Sequence, residues 1–275
     1  MIEIRGVRDF NAEHIFDCGQ CFRWNREEDG SYTGVAGEYI ANIRYDSGTV
    51  YIDGSGSEEF WRDYLDLGRD YGKIKERLSE DDEIIGAAIE YGSGIRLLNQ
   101  DRWETLISFI ISQNNNIPRI KGCIEKLCAM FGKPIGTFRG KEYFSFPERE
   151  RLAGISEEDL EPVRLGYRAR YIVETAKADI DLEKASELDT PSLYRYLLSL
   201  TGVGPKVANC ILLFGFSRYD SFPVDVWVRR VMNRLYGFDE KDMKGMTRFA
   251  EEKFGSLGGF AQQYLFYYIR IQEES

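Results

Sequence analysis

Two residues in the second half of the chain have the types and spacing for covalent chemistry. Lys206 sits in Leu200-Thr201-Gly202-Val203-Gly204-Pro205-Lys206-Val207-Ala208-Asn209-Cys210, where two glycines one residue apart join two helical patterns. Asp225 follows 19 positions later in Phe222-Pro223-Val224-Asp225-Val226-Trp227, at the start of another helical run. A lysine near a helix N-terminus in a partly desolvated pocket is disfavoured as the ammonium, and the free amine is a nucleophile. A carboxylate at a helix N-terminus is expected to stay ionised and can stabilise positive charge developing beside it. Gly202 and Gly204 let the backbone approach a partner, and the unpaired N–H groups that open the next helix can converge on a phosphate oxygen. Each feature alone has a plainer reading, a Gly-rich connector for the turn and an N-cap for Asp225.

These residues need a scaffold, and the pattern along the chain predicts one. Short β-rich runs at Phe22–Asn25, Tyr32–Ala36, Tyr39–Tyr45 and Val50–Asp53 alternate with turn signals at Asp29-Gly30, Gly37 and Ser47-Gly48, which reads as an antiparallel meander. Beyond Ser57 the apolar period becomes helical, as in Trp103–Ile111 and Ile120–Met130, with Pro118 suited to a first turn. Further helices are expected at Arg168–Ile180, Ser192–Leu200, Lys206–Phe214, Val226–Leu235, Thr247–Phe254 and Phe260–Ile271, so the second part reads as nearly all helix. The expected fold is α+β: a sheet domain over residues 1–82 and a larger helical domain over 83–275.

Composition narrows the partners. With 275 residues, 43% of them hydrophobic, the chain can bury a substantial core. No apolar run reaches the roughly 20 residues of a spanning helix, and the start lacks a signal-peptide pattern, so an intracellular protein with no membrane partner is expected. The five cysteines suit a reducing compartment, and Cys18-x-x-Cys21 has neither a second cysteine pair nor two histidines to complete a zinc site. Neither structural zinc nor an iron–sulfur cluster is expected. The net charge of −10 argues at first against a polyanionic partner. Residues 1–100 carry 21 acidic and 11 basic side chains, however, whereas residues 101–275 carry 25 of each, so the second part is free to present a basic face.

Taken together, the hairpin Leu-x-Gly-Val-Gly-x-Lys-x-Ala and the later Pro-Val-Asp resemble the signature of the helix-hairpin-helix DNA glycosylases. In that superfamily a lysine at the Lys206 position marks the enzymes that are also lyases, and an aspartate at the Asp225 position is common to glycosylases of both kinds. The resemblance implies that Lys206 attacks the anomeric carbon of a sugar, releases the base and leaves a Schiff base that permits β-elimination. It places DNA phosphate at Gly202, Gly204 and Val207.

Four further segments resemble the eukaryotic-type 8-oxoguanine glycosylases: Cys18–Trp24, Ser112–Ile120, Leu165–Tyr171 and Gly259–Phe266. 8-Oxoguanine differs from guanine in carrying a donor at nitrogen 7, which a single buried carbonyl can accept and which guanine cannot supply. The resemblance gives that carbonyl to Gly19, the faces of the flipped base to Phe266 and Cys210, and its Watson–Crick edge to Gln262. It gives Asn114 the space the base vacates, Arg119 and Arg168 the opposite cytosine, and Tyr167 the wedge beside it. Without it, Phe266 and Cys210 read as core, Gln262 as a solvated helix residue, Asn114–Asn116 as a helix cap and Arg168 as a surface charge.

Three positions depart from the pattern: Thr201 replaces the hairpin proline, Phe214 a familiar methionine, and Trp227 a histidine that lies near DNA phosphate. The expectation is thus a monomeric glycosylase and lyase acting on double-stranded DNA with 8-oxoguanine opposite cytosine. It requires no organic cofactor, and the resemblance leaves room for a metal ion at the hairpin beside phosphate. A glycosylase for alkylated purines usually lacks the hairpin lysine, and many pyrimidine-specific members carry C-terminal cysteines, which do not follow Cys210 here. A non-catalytic DNA-binding hairpin explains the glycines but not the Lys206 and Asp225 pair.

Overall fold

The computed structural model describes residues 1–274. A five-stranded antiparallel sheet has the order β1-β5-β4-β3-β2, from β1 (Ile2–Arg5), β2 (Trp24–Arg26), β3 (Tyr32–Ala36), β4 (Tyr39–Asp46) and β5 (Thr49–Gly54). The two-residue loop between β4 and β5 holds Ser47 and Gly48 at φ of 47° and 81°, a geometry that follows the strand twist. Ile4, Trp24, Ile43, Val50 and Ile52 face one side and are buried against Phe16 and Trp61 of the helices Ala12–Phe16 and Glu58–Tyr64. Gly34 of β3 has a packing reason, because a Cβ there would lie 2.5 Å from the Trp24 indole.

The expected meander is present, with two corrections. Its first strand starts at Trp24 rather than Phe22, since Phe22 turns into the helical core, where its ring meets Phe109 edge-on at 5.7 Å. The additional edge strand β1 pairs with β5, placing Ile2 opposite Ile52.

Two helices run through the centre of the second part. Thr105 through Ile111 of the helix Arg102–Ser112 are all buried, and so are Cys210 through Phe216 of the helix Pro205–Phe216. Helices apolar on every side belong in the middle of a bundle. Around them pack Ile117–Phe131, Arg168–Lys177, Val226–Tyr236 and Gly258–Glu274. The helix expected from Thr247 starts at Met243, because Asp242 caps it by accepting from Gly245 N–H at 2.8 Å. The second part is also less uniformly helical than expected: β6 (Pro134–Phe138) and β7 (Lys141–Phe144) form a separate hairpin.

Sheet and bundle share a polar seam. Arg96, 3% exposed, donates to the backbone oxygens of Arg8, Asp9 and Asp66 and lies over the Tyr71 ring. Cys18 packs in the helical core and Cys21 in the sheet core, so the two thiols serve different packing clusters. Burial pushes the Cys18 thiol up to about 12. Among the described residues no helix is long and apolar enough to cross a membrane.

Candidate active site

The hairpin links the helix Thr190–Leu198 to Pro205–Phe216. Gly202 has φ +79°, and a Cβ there would collide with the Tyr171 side chain at 2.6 Å, so the turn requires glycine on both counts. Gly204 is the N-cap of the next helix and offers no side chain to its first turn, leaving those N–H groups to an outside acceptor. The Val207 side chain is buried, so only its backbone belongs to that turn's donor set. Gln113 braces the hairpin by donating to the Gly202 carbonyl at 2.9 Å.

One helical step inward, Lys206 lines a cavity of about 460 Å³ together with Asp225, Cys210, Phe109, Phe214 and Trp227. Its Nζ stands 5.4 Å from the centroid of Phe109, which stacks on Phe214 at 5.3 Å. Asp225 is both a helix N-cap and a residue of the cavity. It caps the helix Val226–Tyr236 by accepting from Val228 N–H at 2.9 Å, and it lines the same cavity as Lys206. Burial raises its carboxyl above the ordinary value, against the opposing pull of the Val228 N–H and the Lys206 charge. The expectation of a carboxylate helped by the helix end therefore holds for the local field, but desolvation outweighs it. Burial likewise raises the Cys210 thiol, and the Lys206 ammonium opposes that shift.

Gly19, Gln262, Phe266 and Arg270 line the same cavity. Gly19 at φ +77° leaves room for the Phe266 ring, whose Cε1 and Cζ would be 3.3 Å from a Cβ at that position. Gln262 and Phe266, four residues apart on the helix Gly258–Glu274, both line the cavity. Gln262 is 3% exposed, which rules out its reading as a solvated helix residue. The loop holding Gly19 is pinned by Gln20, whose amide donates to Ile15 O and Arg96 O and accepts from Leu98 N–H. Arg270 reaches back from the helix to the Asp17 carbonyl at 2.6 Å.

The remaining expected residues lie outside this cavity's lining. Asn114 is exposed, in left-handed backbone at φ 46°, and its amide approaches the Tyr167 hydroxyl at 3.4 Å. Asn116, not Asn114, caps the next helix by accepting from Arg119 N–H. Arg119 is exposed and donates to Arg164 O at 3.3 Å. Tyr167 is 49% exposed. Arg168, by contrast, is 4% exposed and gives its guanidinium to the carbonyls of Gln113, Asn114 and Leu165. It is no surface charge; it braces the segment that holds Asn114.

A family model described as 8-oxoguanine DNA glycosylase, N-terminal domain, matches residues 4–106, and one described as HhH-GPD superfamily base excision DNA repair protein matches residues 107–256. The chain belongs to the HhH-GPD superfamily. A probable N-glycosylase/DNA lyase of Methanothermobacter thermautotrophicus is 33% identical over 69% of this chain and 68% of its own length. An N-glycosylase/DNA lyase of Arabidopsis thaliana is 31% identical over 91% of this chain and 75% of its own. The crystal structure of Clostridium acetobutylicum 8-oxoguanine glycosylase/lyase, in complex with double-stranded DNA containing cytosine opposite 8-oxoguanine, superposes with a TM-score of 0.94. It is 43% identical and covers 98% of this chain and 95% of that one.

Within this HhH-GPD protein, sequence reasoning passed over the supports of the site. Gln20 and Gln113 fix the Gly19 loop and the hairpin, and Gln263 lines the cavity beside Gln262. Their only signal in the sequence is an amide beside Gly19, Asn114 or Gln262. The hairpin could offer a metal ion backbone carbonyls, of which those of Leu200, Thr201 and Gly202 already accept one hydrogen bond each. That neutral donor set suits a hard cation only when an anionic phosphate completes it.

Proposed function

We propose that this HhH-GPD protein is a DNA glycosylase and lyase that removes 8-oxoguanine from duplex DNA and then cuts the strand. The observation that carries the reading is a single cavity lined by Lys206 and Asp225 together with Gly19, Cys210, Gln262 and Phe266. Its volume of about 460 Å³ is in the range for a small-molecule site and suits one extruded base.

Lys206 Nζ attacks the anomeric carbon, the bond to the base breaks, and the base leaves with a proton. The ionised Asp225 stabilises the oxocarbenium-like charge during this step. The amine-bound sugar opens to a Schiff base, a proton leaves carbon 2′, and the 3′ phosphate is expelled. The Gly19 carbonyl accepts from the nitrogen 7 donor of the lesion and faces a lone pair in guanine. Phe266 and Cys210 flank the base, and Gln262 meets its Watson–Crick edge. Hairpin N–H groups at Gly202, Gly204 and Val207 take a phosphate, which explains DNA binding by a chain of net charge −10. Asn114 fills the vacated space, and Tyr167, Arg119 and Arg168 act on the side of the opposite cytosine, Arg168 after giving up carbonyls it now holds.

The test is incision of duplexes with 8-oxoguanine opposite each of the four bases, with borohydride present and the adduct mapped by peptide mass. Incision favoured opposite cytosine and an adduct on Lys206 support the reading. An adduct formed only on duplexes with a different lesion keeps the chemistry and rejects the substrate.

A further inference from the structure

Gln262 and Gln263 are sequence neighbours, about 100° apart around their helix, yet both line the cavity and both are buried. The Gln263 amide nitrogen donates to Gln262 Oε1 at 2.8 Å. Gln263 Oε1, in a residue 2% exposed, has no hydrogen-bond partner among the described residues. Gln20 makes the contrast: it is equally buried, and both ends of its amide are engaged by backbone. A buried amide oxygen without a donor is costly, and it is tolerated where function uses the group.

We propose that Gln263 is a positioning residue for base recognition, fixing which end of the Gln262 amide meets the flipped base. The inference rests on the reading of Gln262 given above. An amide has one accepting end and one donating end, so two neighbouring amides can bond in only two ways. In the arrangement present, Gln263 N–H takes one of the two acceptor sites of Gln262 Oε1 and turns that oxygen toward Gln263, leaving Gln262 Nε2 as the end presented to the base. That end donates to the oxygen at carbon 6 of a guanine-type base. An adenine-type base carries an amino group there and would set donor against donor. Turning both amides together reverses the polarity: Gln263 Oε1 gains the Gln262 N–H, Gln263 Nε2 loses its bond to Gln262, and the Gln262 oxygen is presented instead. Gln263 thus decides between two otherwise similar amide arrangements.

The test uses the full chain in single-turnover assays on an 8-oxoguanine duplex and on a duplex with a preformed abasic site, which has no base to read. Gln263→Leu removes the bond, and Gln263→Glu is the same size but, ionised, can only accept from Gln262 and so forces the reversed arrangement. In both variants the ratio of 8-oxoguanine excision to abasic-site cleavage should fall about tenfold, the effect of one net hydrogen bond, and further in Gln263→Glu. The preference for 8-oxoguanine over 8-oxoadenine should narrow in parallel. Ratios at the wild-type value, or equal losses on both duplexes, overturn the proposal. If Gln263→Leu does not fold, Gln263→Glu alone decides. A wild type that cleaves the abasic duplex but leaves 8-oxoguanine in place rejects the substrate reading itself, and this inference with it.

Discussion

The two walls of the cavity are built on opposite principles. The wall of Lys206 and Asp225 consists of two helix N-termini that set ionisable groups in a partly desolvated place. The wall of Gly19, Gln262 and Phe266 carries one charge, the Arg270 guanidinium that donates to the Asp17 carbonyl, and the residues that form it come from the two ends of the chain. In the function proposed, the first wall makes and breaks bonds at the sugar and the second reads the base. Chemistry and recognition should therefore separate experimentally, with an abasic duplex reporting the first wall and an 8-oxoguanine duplex reporting both.

The largest effect should come from Lys206→Gln, which keeps a polar side chain and removes the nucleophile. Cleavage of both duplexes should fall on the order of 10³-fold or more, and borohydride adducts should vanish, as read on denaturing gels. Retained trapping would move the nucleophile elsewhere and dissolve the division between walls.

Asp225→Asn should come next, with excision lowered about 10²- to 10³-fold, the range for losing a charge aimed at the transition state. Asparagine still caps the helix and removes the buried charge, so thermal stability near neutral pH should hold or rise. The pH dependence sharpens the point. Burial raises the folded carboxyl pKa, so the working ionised form is lost as pH falls through that raised value. The wild-type acid limb should lie above the usual carboxylate value of about 3.9 and be absent from Asp225→Asn. Stability runs the other way: the cost of burying the charge is present above the raised pKa and is relieved as pH falls through it.

Gly19→Ala tests the second wall. The new methyl group meets Phe266 at 3.3 Å, in a backbone conformation that side chains rarely adopt. Excision of 8-oxoguanine should drop about 10- to 100-fold, equivalent to roughly 1–3 kcal/mol of strain, while abasic-site cleavage changes by less than about threefold. Equal losses on both duplexes would mean that the walls are mechanically coupled.

The same contrast governs what was legible beforehand. Lys206, Asp225 and the hairpin glycines stand within 24 residues of one another and carry their own local pattern. The helix Ile117–Phe131 announces itself by apolar period, burying Ile120, Cys123, Ile124, Leu127 and Cys128. Gly19 offers no such signal, because a backbone carbonyl has no residue type, and only the resemblance drew attention to it. Strand β1 carries no local signal, because its partner β5 lies almost fifty residues on and four residues show no period of their own. The turn-rich stretch 134–144 is equally silent: two short, largely exposed strands bury too little to leave an alternation. Arg168 and Arg170 look alike in Tyr-Arg-Ala-Arg, yet the first is buried among carbonyls and the second pairs with Glu174 at the surface. Which face of a helix meets a neighbouring loop is set by tertiary packing.

That last pair of fates gives the smallest predicted activity effect and a way to sharpen the comparison beyond the cavity. Arg119 and Arg168 share an expected role toward the opposite base, but one is exposed and the other is part of the scaffold. Arg119→Ala should leave stability within about 0.5 kcal/mol, as exposed substitutions do, and narrow the opposite-cytosine preference about three- to tenfold. Arg168→Ala strips donors from the carbonyls of Gln113, Asn114 and Leu165 and should lower stability by about 2–4 kcal/mol in a thermal or urea melt. Its effect on opposite-base preference must then be read at a temperature where the variant is folded. If Arg168→Ala melts like wild type and still loses the preference, its carbonyl contacts are incidental and the arginine belongs with Arg119 on the DNA side. If it melts early and keeps the preference, the reading of the orphaned base falls to Arg119 alone.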